Sequence, residues 1–226
     1  KIVETIKRPG RGAVKVGVVG KYVNLTESYK SLNEALTHGG IANDCKVQLV
    51  FVDSTDIEEK GAEAMLKEVD AVLVPGGFGL RGTEGKIAAV RYARENKVPF
   101  FGICLGLQMA VIEYARNVLG LQGANSLEMD EKTPHPVVSL MENQKCVKNL
   151  GGTMRLGAYT CHLEEGTLAA KLYRDTEVSE RHRHRFEFNN DYRKAFEEKG
   201  MVFSGVHKEK AFEEKGMVFS GVHKEK

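Results

Sequence analysis

One stretch of the sequence decides the fold, Val98-Pro-Phe-Phe-Gly-Ile-Cys-Leu-Gly-Leu-Gln-Met109. Its first half is an apolar run with the length of a buried strand, and a helical pattern begins directly after Cys104. Gly102 and Gly106 lie on either side of this cysteine. A strand that reverses into a helix leaves no room for Cβ atoms at those positions. We therefore predict that Cys104 occupies a tight turn, a nucleophile elbow with sulfur in place of oxygen.

A cysteine at the first turn of a helix has a particular chemistry. The backbone N–H groups of that turn and the positive end of the helix dipole stabilise a thiolate, so we expect a lowered pKa for Cys104. Such a thiolate can attack a carbonyl carbon. A buried structural role is the commoner fate of a cysteine, but the paired glycines and the strand-turn-helix context favour a nucleophile here.

The composition limits the classes of function. The 226 residues are 42% apolar and carry a net charge of +2, which fits one large globular domain and gives no basic excess for nucleic acid. The four cysteines lie far apart without a C-x-x-C pair, so we expect neither disulfides nor zinc, and a reducing, cytoplasmic compartment. No segment has the roughly 18 apolar residues of a membrane span. Residues 1–12 lack the apolar core of a signal peptide and are interpreted as a linker remnant.

From Ala13 onward, strand and helix patterns alternate. The predicted strands are residues 14–19, 46–53, 70–75 and the run before Cys104, and the predicted helices are residues 28–38, 57–67, 85–96 and 105–119. Gly39-Gly40 is predicted to end the first helix. Successive β-α units predict an α/β fold with a doubly wound parallel sheet. Sites in such folds form beyond the carboxyl ends of the strands, where Cys104 is expected.

A second strand end lies one β-α unit earlier, in Val74-Pro-Gly-Gly-Phe-Gly79. Two glycines after a buried strand let the backbone turn its N–H groups outward, as an oxyanion hole requires when a thiolate adds to a carbonyl. Gly-Gly pairs also occur in α/β loops for turn geometry alone. Because this Gly-Gly pair lies directly before the predicted elbow unit, we favour its interpretation as part of an oxyanion hole.

These motifs resemble a known family. Pro-Gly-Gly-Phe-Gly and Gly-Ile-Cys-Leu-Gly-Leu-Gln are similar to stretches of the class I, triad-type glutamine amidotransferases, whose glutaminase domain is a flavodoxin-like parallel sheet with a cysteine elbow. Further motifs resemble the glutaminase domains of CTP synthases: Val19-Gly-Lys-Tyr-Val23, Leu80-Arg-Gly-Thr-Glu-Gly85, Ala124-Asn-Ser126, Gly151-Gly-Thr-Met-Arg-Leu-Gly157 and Glu180-Arg-His-Arg-His-Arg-Phe-Glu187. The resemblance implies one glutamine amidotransferase domain at residues 13–205, without the amino-terminal ammonia-ligase half.

The resemblance also implies a reaction, the hydrolysis of glutamine. Cys104 would attack the side-chain amide and form a glutamyl thioester. The backbone N–H groups of Gly77 and Leu105 would hold the oxyanion, and Gln108 would face the same pocket. Glu128 would bind the α-ammonium group of glutamine, which its negative charge suits.

By the same resemblance, Arg185 would bind the α-carboxylate, because a planar guanidinium matches it. The ammonia would pass to the ligase half, which in the family aminates UTP to CTP with ATP and magnesium and is activated by GTP. The segment Arg81–Gly85 resembles the one linked to this activation, although a charged loop with glycines is usually only a loop. No cofactor is implied for this domain. The implied partners are glutamine, the ligase domain and other copies in a homo-oligomer, without nucleic acid or membrane.

The Arg-His-Arg-His-Arg run predicts a basic strand. Strict alternation would place the three arginines on one face of the strand, namely Arg181, Arg183 and Arg185. The opposite face would carry His182, His184 and Phe186. An H-x-H pair can bind metal, but no third ligand lies at a recognisable spacing, so we expect no metal site. A solvated or interface strand, with Arg185 at the substrate, fits the pattern better.

The carboxyl terminus departs from the family pattern. Ala195–Lys210 recurs without a change as Ala211–Lys226, and the family's His-Pro-Glu segment, which supplies the general base, is absent. His223 and Glu225 keep an H-x-E spacing and are the candidates for base and orienter. We interpret the second copy as a tail or cloning artefact and the triad as incomplete. The alternatives are an inactive amidotransferase-like binding or interaction module and a cysteine-elbow hydrolase of the same fold.

Overall fold

The computed structural model describes residues 2–21, 29–140, 155–208 and 214–219. The chain divides into two compact units, Lys1–Ala110 and Val111–Lys226, which are described separately. Among the described residues, no helix combines the length and apolar character needed to cross a membrane.

The first unit is built on a four-stranded parallel sheet with the strand order β2-β1-β3-β4. Its strands are β1 (Ala13–Gly20), β2 (Lys46–Asp53), β3 (Ala71–Val74) and β4 (Phe100–Gly102). Its helices are α1 (Ile2–Lys7), α2 (Lys30–Ala42), α3 (Ser54–Lys60), α4 (Ala62–Leu66), α5 (Thr83–Glu95) and α6 (Leu105–Asn117), the last of which continues into the second unit. This is the flavodoxin-like order, which confirms the predicted fold class.

Both faces of this sheet are covered, as the apolar strands predicted. Val19 contributes to one hydrophobic cluster, which also contains Ile57 and Leu66 from α3 and α4. Val18, the preceding residue of β1, contributes to a second cluster, against which Leu32 of α2 packs. Because successive strand residues point to opposite faces, the two clusters lie on opposite sides of the sheet.

The predicted helix at residues 57–67 is wrong in its bounds. Asp53 caps a helix that begins earlier, accepting a hydrogen bond of 2.9 Å from the backbone N–H of Thr55. Gly61, with φ of 85°, then interrupts the segment and separates α3 from α4. The continuous apolar spacing hid this break, since a single glycine within a helical pattern does not reveal its backbone angle.

The predicted end of α2 at Gly39-Gly40 is also wrong, because the helix continues to Ala42. Gly40 is buried against the chain that enters β2, and a Cβ atom there would lie 2.8 Å from the carbonyl oxygen of Cys45. This glycine therefore permits close packing between helix and strand instead of terminating the helix.

The described residues of the second unit form two small sheets, of strand order β11-β10-β7-β8 and β5-β6-β9. The strands are β5 (Asn125–Ser126), β6 (Pro136–Leu140), β7 (Arg155–Leu163), β8 (Glu177–His184), β9 (Phe186–Phe188), β10 (Phe203–Lys208) and β11 (Glu214–Phe219). The helices are α7 (Leu168–Tyr173) and α8 (Arg193–Glu198), with a 3-10 turn at Asn190–Tyr192. Phe196 of α8 is fully buried and stacks on Tyr114.

The two copies of the repeat differ in structure where both are described. In the first copy, residues 198–203 extend from the last residue of α8 to the first residue of β10, with the sequence Glu-Lys-Gly-Met-Val-Phe. In the second copy, the same six residues form β11 throughout and pair antiparallel with β10. Identical local propensities therefore give different elements, because tertiary packing decides between them.

Gly39 and Gly40 provide a matched pair of substitutions in one helix. Gly39→Ala should raise the free energy of unfolding by roughly 0.5–1 kcal/mol, because alanine favours the helix and a Cβ atom there meets nothing within 4 Å. Gly40→Ala should lower it, because its Cβ atom would press on the Cys45 carbonyl. Urea denaturation of both variants measures the two changes. Shifts of the same sign would show that Gly40 is not a packing residue.

Candidate active site

Cys104 lies on the turn between β4 and α6, with a φ of 55°. A side chain at positive φ is strained, and such strain is typical of a nucleophile elbow. Hydrogen bonds hold the turn on both sides. The backbone N–H of Ile103 donates to the carbonyl oxygen of Val74 at 2.9 Å, and that of Gln108 donates to the carbonyl oxygen of Cys104 at 3.2 Å. The predicted strand-turn-helix geometry is confirmed.

The two flanking glycines are required by close backbone contacts. A Cβ atom on Gly102 would lie 2.6 Å from the carbonyl carbon of Gly106. A Cβ atom on Gly106 would lie 2.0 Å from the carbonyl oxygen of Val74, in the neighbouring strand. No side chain fits at these distances, so the glycines allow α6 to begin directly against β3.

The Gly-Gly loop after β3 runs beside the elbow. A Cβ atom built on Gly76 would lie 3.4 Å from Cβ and 3.9 Å from Sγ of Cys104. One built on Gly77 would lie 3.5 Å from Cδ2 of Leu105. The structure thus brings together the predicted nucleophile and the two residues whose N–H groups were predicted to stabilise an oxyanion.

Gln108 follows Cys104 by one turn of α6 and is half-buried. Residues four apart lie on the same face of a helix. The structure therefore places Gln108 on the face of α6 that begins at the cysteine, and its role toward glutamine stays a prediction.

Lys21 is a further residue at this edge of the sheet, and the sequence analysis assigned it no role. It follows β1 directly, and its Nζ donates hydrogen bonds to the carbonyl oxygens of Phe78 (2.8 Å) and Gly79 (3.0 Å). Burial and the nearby Arg81 lower the pKa of Lys21. The signal that could have identified it is its position at the carboxyl end of a parallel strand.

Glu128 and Arg185 lie in the second unit, where the Arg185 guanidinium acts electrostatically on the Glu128 carboxyl. Glu128 follows β5, and its backbone N–H donates to Oγ of Ser126 at 3.2 Å. Partial desolvation raises the pKa of the Glu128 carboxyl. The Arg185 guanidinium opposes this shift. The structure therefore brings these two predicted binding residues into one electrostatic environment.

Arg185 lies at a bend between two strands of different sheets. Arg181 and Arg183 are exposed and alternate with half-buried His182 and His184, as predicted. The single predicted strand is wrong at Arg185, because β8 ends at the preceding residue and the chain crosses to the other sheet as β9.

The burial of Arg185 also differs from that of the arginines of β8. It is half-buried, and its Nε is buried without a hydrogen-bond partner in the part of the chain that the structure describes. Arg181 and Arg183 are exposed, so Arg185 is the least exposed of the three arginines in the run.

The histidines form no recognised metal site among residues 2–21, 29–140, 155–208 and 214–219. His182 and His184 approach with 3.4 Å between their Nδ1 atoms, but the described chain holds no group of three His, Cys, Asp or Glu able to bind a metal ion. His207 contacts the carbonyl oxygen of Thr160 at 2.6 Å. The proposed base and orienter, His223 and Glu225, lie outside the described residues, as do residues 151–154 of the glycine-rich motif.

The other described cysteines lie on other elements of the chain. Cys45 precedes β2, at the opposite edge of the parallel sheet from Cys104. Cys161 is buried in a small cluster with Leu163 and Ala169 in the second unit. Cys146 lies outside the described residues. Of the described cysteines, Cys104 is the one whose backbone has the strained elbow conformation.

Comparison with known proteins gives consistent results. Residues 24–222 match the family described as glutamine amidotransferase class-I. CTP synthases from Pelobacter propionicus and Geobacter sulfurreducens are each 60% identical over 208 residues, which is 92% of this chain and 39% of theirs. The solved glutaminase domain of Trypanosoma brucei CTPS with bound acivicin is 38% identical, with a TM-score of 0.80 over 86% of this chain and 75% of that one. This chain thus spans about two fifths of the curated relatives.

Proposed function

The chain belongs to the class-I glutamine amidotransferases, and from this premise we propose that it hydrolyses the side-chain amide of glutamine to release ammonia. The observation that carries the proposal is the elbow itself. Cys104 has a φ of 55°, and a Cβ atom built on Gly76 would lie only 3.4 Å from Cβ of Cys104. A strained cysteine beside two glycines at a strand end is suited to acyl transfer.

The first half of the reaction forms a thioester. The Cys104 thiolate attacks the amide carbon of glutamine, a C–S bond forms, and the carbonyl oxygen takes the negative charge. The backbone N–H groups of Gly77 and Leu105 donate to this oxygen. The C–N bond then breaks, the nitrogen takes a proton, and ammonia leaves. Water attacks the thioester, releasing glutamate and returning the thiol.

The ends of the substrate are held by charge. Glu128 binds the α-ammonium group and Arg185 the α-carboxylate of glutamine. Support for Arg185 comes from its partial burial and from the buried Nε, which finds no partner among the described residues. A half-buried guanidinium with an unused donor is suited to an incoming carboxylate, because a charge-assisted hydrogen bond is then gained. Gln108 lines the pocket near the cysteine.

The acid and base steps require a further residue. Protonation of the leaving ammonia and activation of the water both call for a general base. The sequence offers His223 with Glu225, in the second copy of the repeat, in place of the family's His-Pro-Glu segment. We propose that the triad of this chain is incomplete, so that it binds glutamine and acylates slowly.

In the wider enzyme, the ammonia is consumed by a second reaction. The relatives named CTP synthase support a proposal in which ammonia passes to a ligase half and aminates UTP to CTP. ATP, magnesium and GTP would act with that half, and this domain would need no cofactor of its own. We place the enzyme in the cytoplasm as a homo-oligomer. Arg81–Gly85, which follows the Gly-Gly loop and includes the first three residues of α5, is the segment proposed to respond to GTP.

Ammonia release from glutamine tests the catalytic part of the proposal. We expect turnover to be lower than that of a complete triad by about 10²–10⁴-fold, the usual contribution of a positioned acid or base. Cys104→Ser should abolish the remaining rate and Cys45→Ser should leave it unchanged. A coupled assay for glutamate measures all three. Turnover at an ordinary enzyme rate would contradict the incomplete triad, and its loss in His223→Ala would then identify the base.

Two arginines from the same run test the binding pocket. Arg185→Ala should weaken glutamine binding by about 1.5–3 kcal/mol, because a charge-assisted contact with the α-carboxylate is lost. Arg183→Ala is the matched control, since its side chain is exposed on β8, and it should have little effect. Calorimetric titration with glutamine measures both. Equal losses would show that the run is only generally basic and that Arg185 has no specific role.

A further inference from the structure

The loop that carries Gly77, residues 75–82 between β3 and α5, has little to fix its own shape. Several of its residues are glycine, namely Gly76, Gly77, Gly79 and Gly82. Because glycine adopts a wide range of backbone angles, the direction of the N–H groups depends on contacts with other elements. The large apolar side chains of the loop do not provide such contacts, since Phe78 is 64% exposed and Leu80 is 60% exposed. Polar contacts must therefore hold the loop.

Both ends of the loop are anchored by neighbouring residues. At its start, a Cβ atom built on Gly20, the last residue of β1, would lie 3.7 Å from Cγ of Pro75. At its end, the backbone N–H and Oγ1 of Thr83 donate hydrogen bonds of 3.2 Å and 2.8 Å to the carbonyl oxygen of Leu80. The two residues directly after Gly77 lie between these anchors.

Lys21 holds those two residues from the adjacent strand end. It follows β1, which pairs with β3 in the parallel sheet, and it is half-buried. Its Nζ donates to the carbonyl oxygens of Phe78 at 2.8 Å and Gly79 at 3.0 Å. An ammonium group has three N–H donors, and one that binds two successive carbonyl groups fixes both peptide planes. Because the donor is charged, these bonds are stronger than bonds between neutral groups.

We propose that Lys21 is a positioning residue for the oxyanion hole, which acts by holding the loop that carries Gly77 against the elbow. A Cβ atom built on Gly77 would lie 3.5 Å from Cδ2 of Leu105, the residue that supplies the other proposed N–H donor. A loop released from Lys21 samples several backbone conformations, and Gly77 donates to the oxyanion in only some of them. The catalytic meaning of this positioning rests on the proposed hydrolysis of glutamine, but the anchoring of the loop does not.

The anchoring can be measured by 15N relaxation without any substrate. The backbone N–H groups of Gly77, Phe78 and Gly79 should have order parameters of about 0.85 in the wild-type protein and below about 0.6 in Lys21→Met, because the loop then moves freely. Lys21→Arg keeps the charge and the N–H donors, so it should restore most of the rigidity. Lys15→Met is the matched control. Lys15 also belongs to β1, but its Nζ lies 3.7 Å from Glu68, and its loss should leave the loop unchanged.

Two reagents separate the oxyanion hole from the nucleophile. With an aldehyde analogue of glutamine, the Cys104 thiolate forms a C–S bond to the aldehyde carbon, and the electron pair of the C=O π bond moves to the oxygen. Binding of this analogue therefore depends on the oxyanion donors. Iodoacetamide is attacked by the same thiolate with loss of iodide, and no oxyanion forms. The concentration of aldehyde that protects Cys104 from iodoacetamide, followed by peptide mass, measures the first reaction, and the rate of alkylation without aldehyde measures the second.

The two reactions should respond differently to the loss of Lys21. Lys21→Met should weaken aldehyde binding by about 10–100-fold, somewhat less than the cost of removing an oxyanion donor outright, and should change the alkylation rate by less than about twofold. Lys21→Arg should recover most of the aldehyde affinity, and Lys15→Met should change neither reaction.

Equal losses in the two reactions would show that Lys21 only stabilises the elbow as a whole, and they would overturn the proposal. Order parameters that are unchanged in Lys21→Met would overturn it as well. A wild-type protein that binds no aldehyde, although its loop loosens in Lys21→Met, would contradict the proposed hydrolysis and still support the anchoring. The two proposals can therefore fail separately.

Discussion

The site depends on one close contact between backbones, the approach of Gly106 to the carbonyl oxygen of Val74. A Cβ atom on Gly106 would lie 2.0 Å from that oxygen. Only glycine therefore allows α6 to begin directly against β3. The contact fixes the turn before it, where Cys104 has a φ of 55°. It also places the end of β3 beside the elbow, which brings Gly76 and Gly77 to the cysteine and to Leu105.

Much of this arrangement could be predicted from the sequence, because it depends on strand ends and glycines. Parallel strands bring their carboxyl ends to one edge, and the paired glycines around Cys104 have few uses other than a tight turn. Where the sequence analysis was wrong, tertiary packing decided the outcome. Gly40 resembles a helix end but serves close packing, and Arg185 continues an alternating pattern but lies where the chain changes sheets. Lys86 resembles an ordinary surface lysine of a helix, and only the fold reveals that it is buried.

The repeat also shows that local sequence does not decide the secondary structure by itself. Its two copies are identical in sequence, yet one supplies the buried Phe196 of α8 and the other forms the edge strand β11. The described chain has the cysteine elbow with its flanking glycines, and the sequence repeats the segment Ala195–Lys210 where the family resemblance implies a His-Pro-Glu segment. A test of function must therefore measure glutamine binding and acylation of the cysteine separately from turnover.

The most direct test uses a glutamine analogue with a diazo ketone or chloro ketone at the amide position, because such a reagent needs a nucleophile and a pocket but no general base. Bound next to the sulfur, it reacts faster through proximity. We predict one adduct, at Cys104, whose formation free glutamine slows, with Cys45, Cys146 and Cys161 unmodified when peptides are mapped by mass spectrometry. Modification spread over several cysteines, or labelling of Cys104 that glutamine does not slow, would contradict the account.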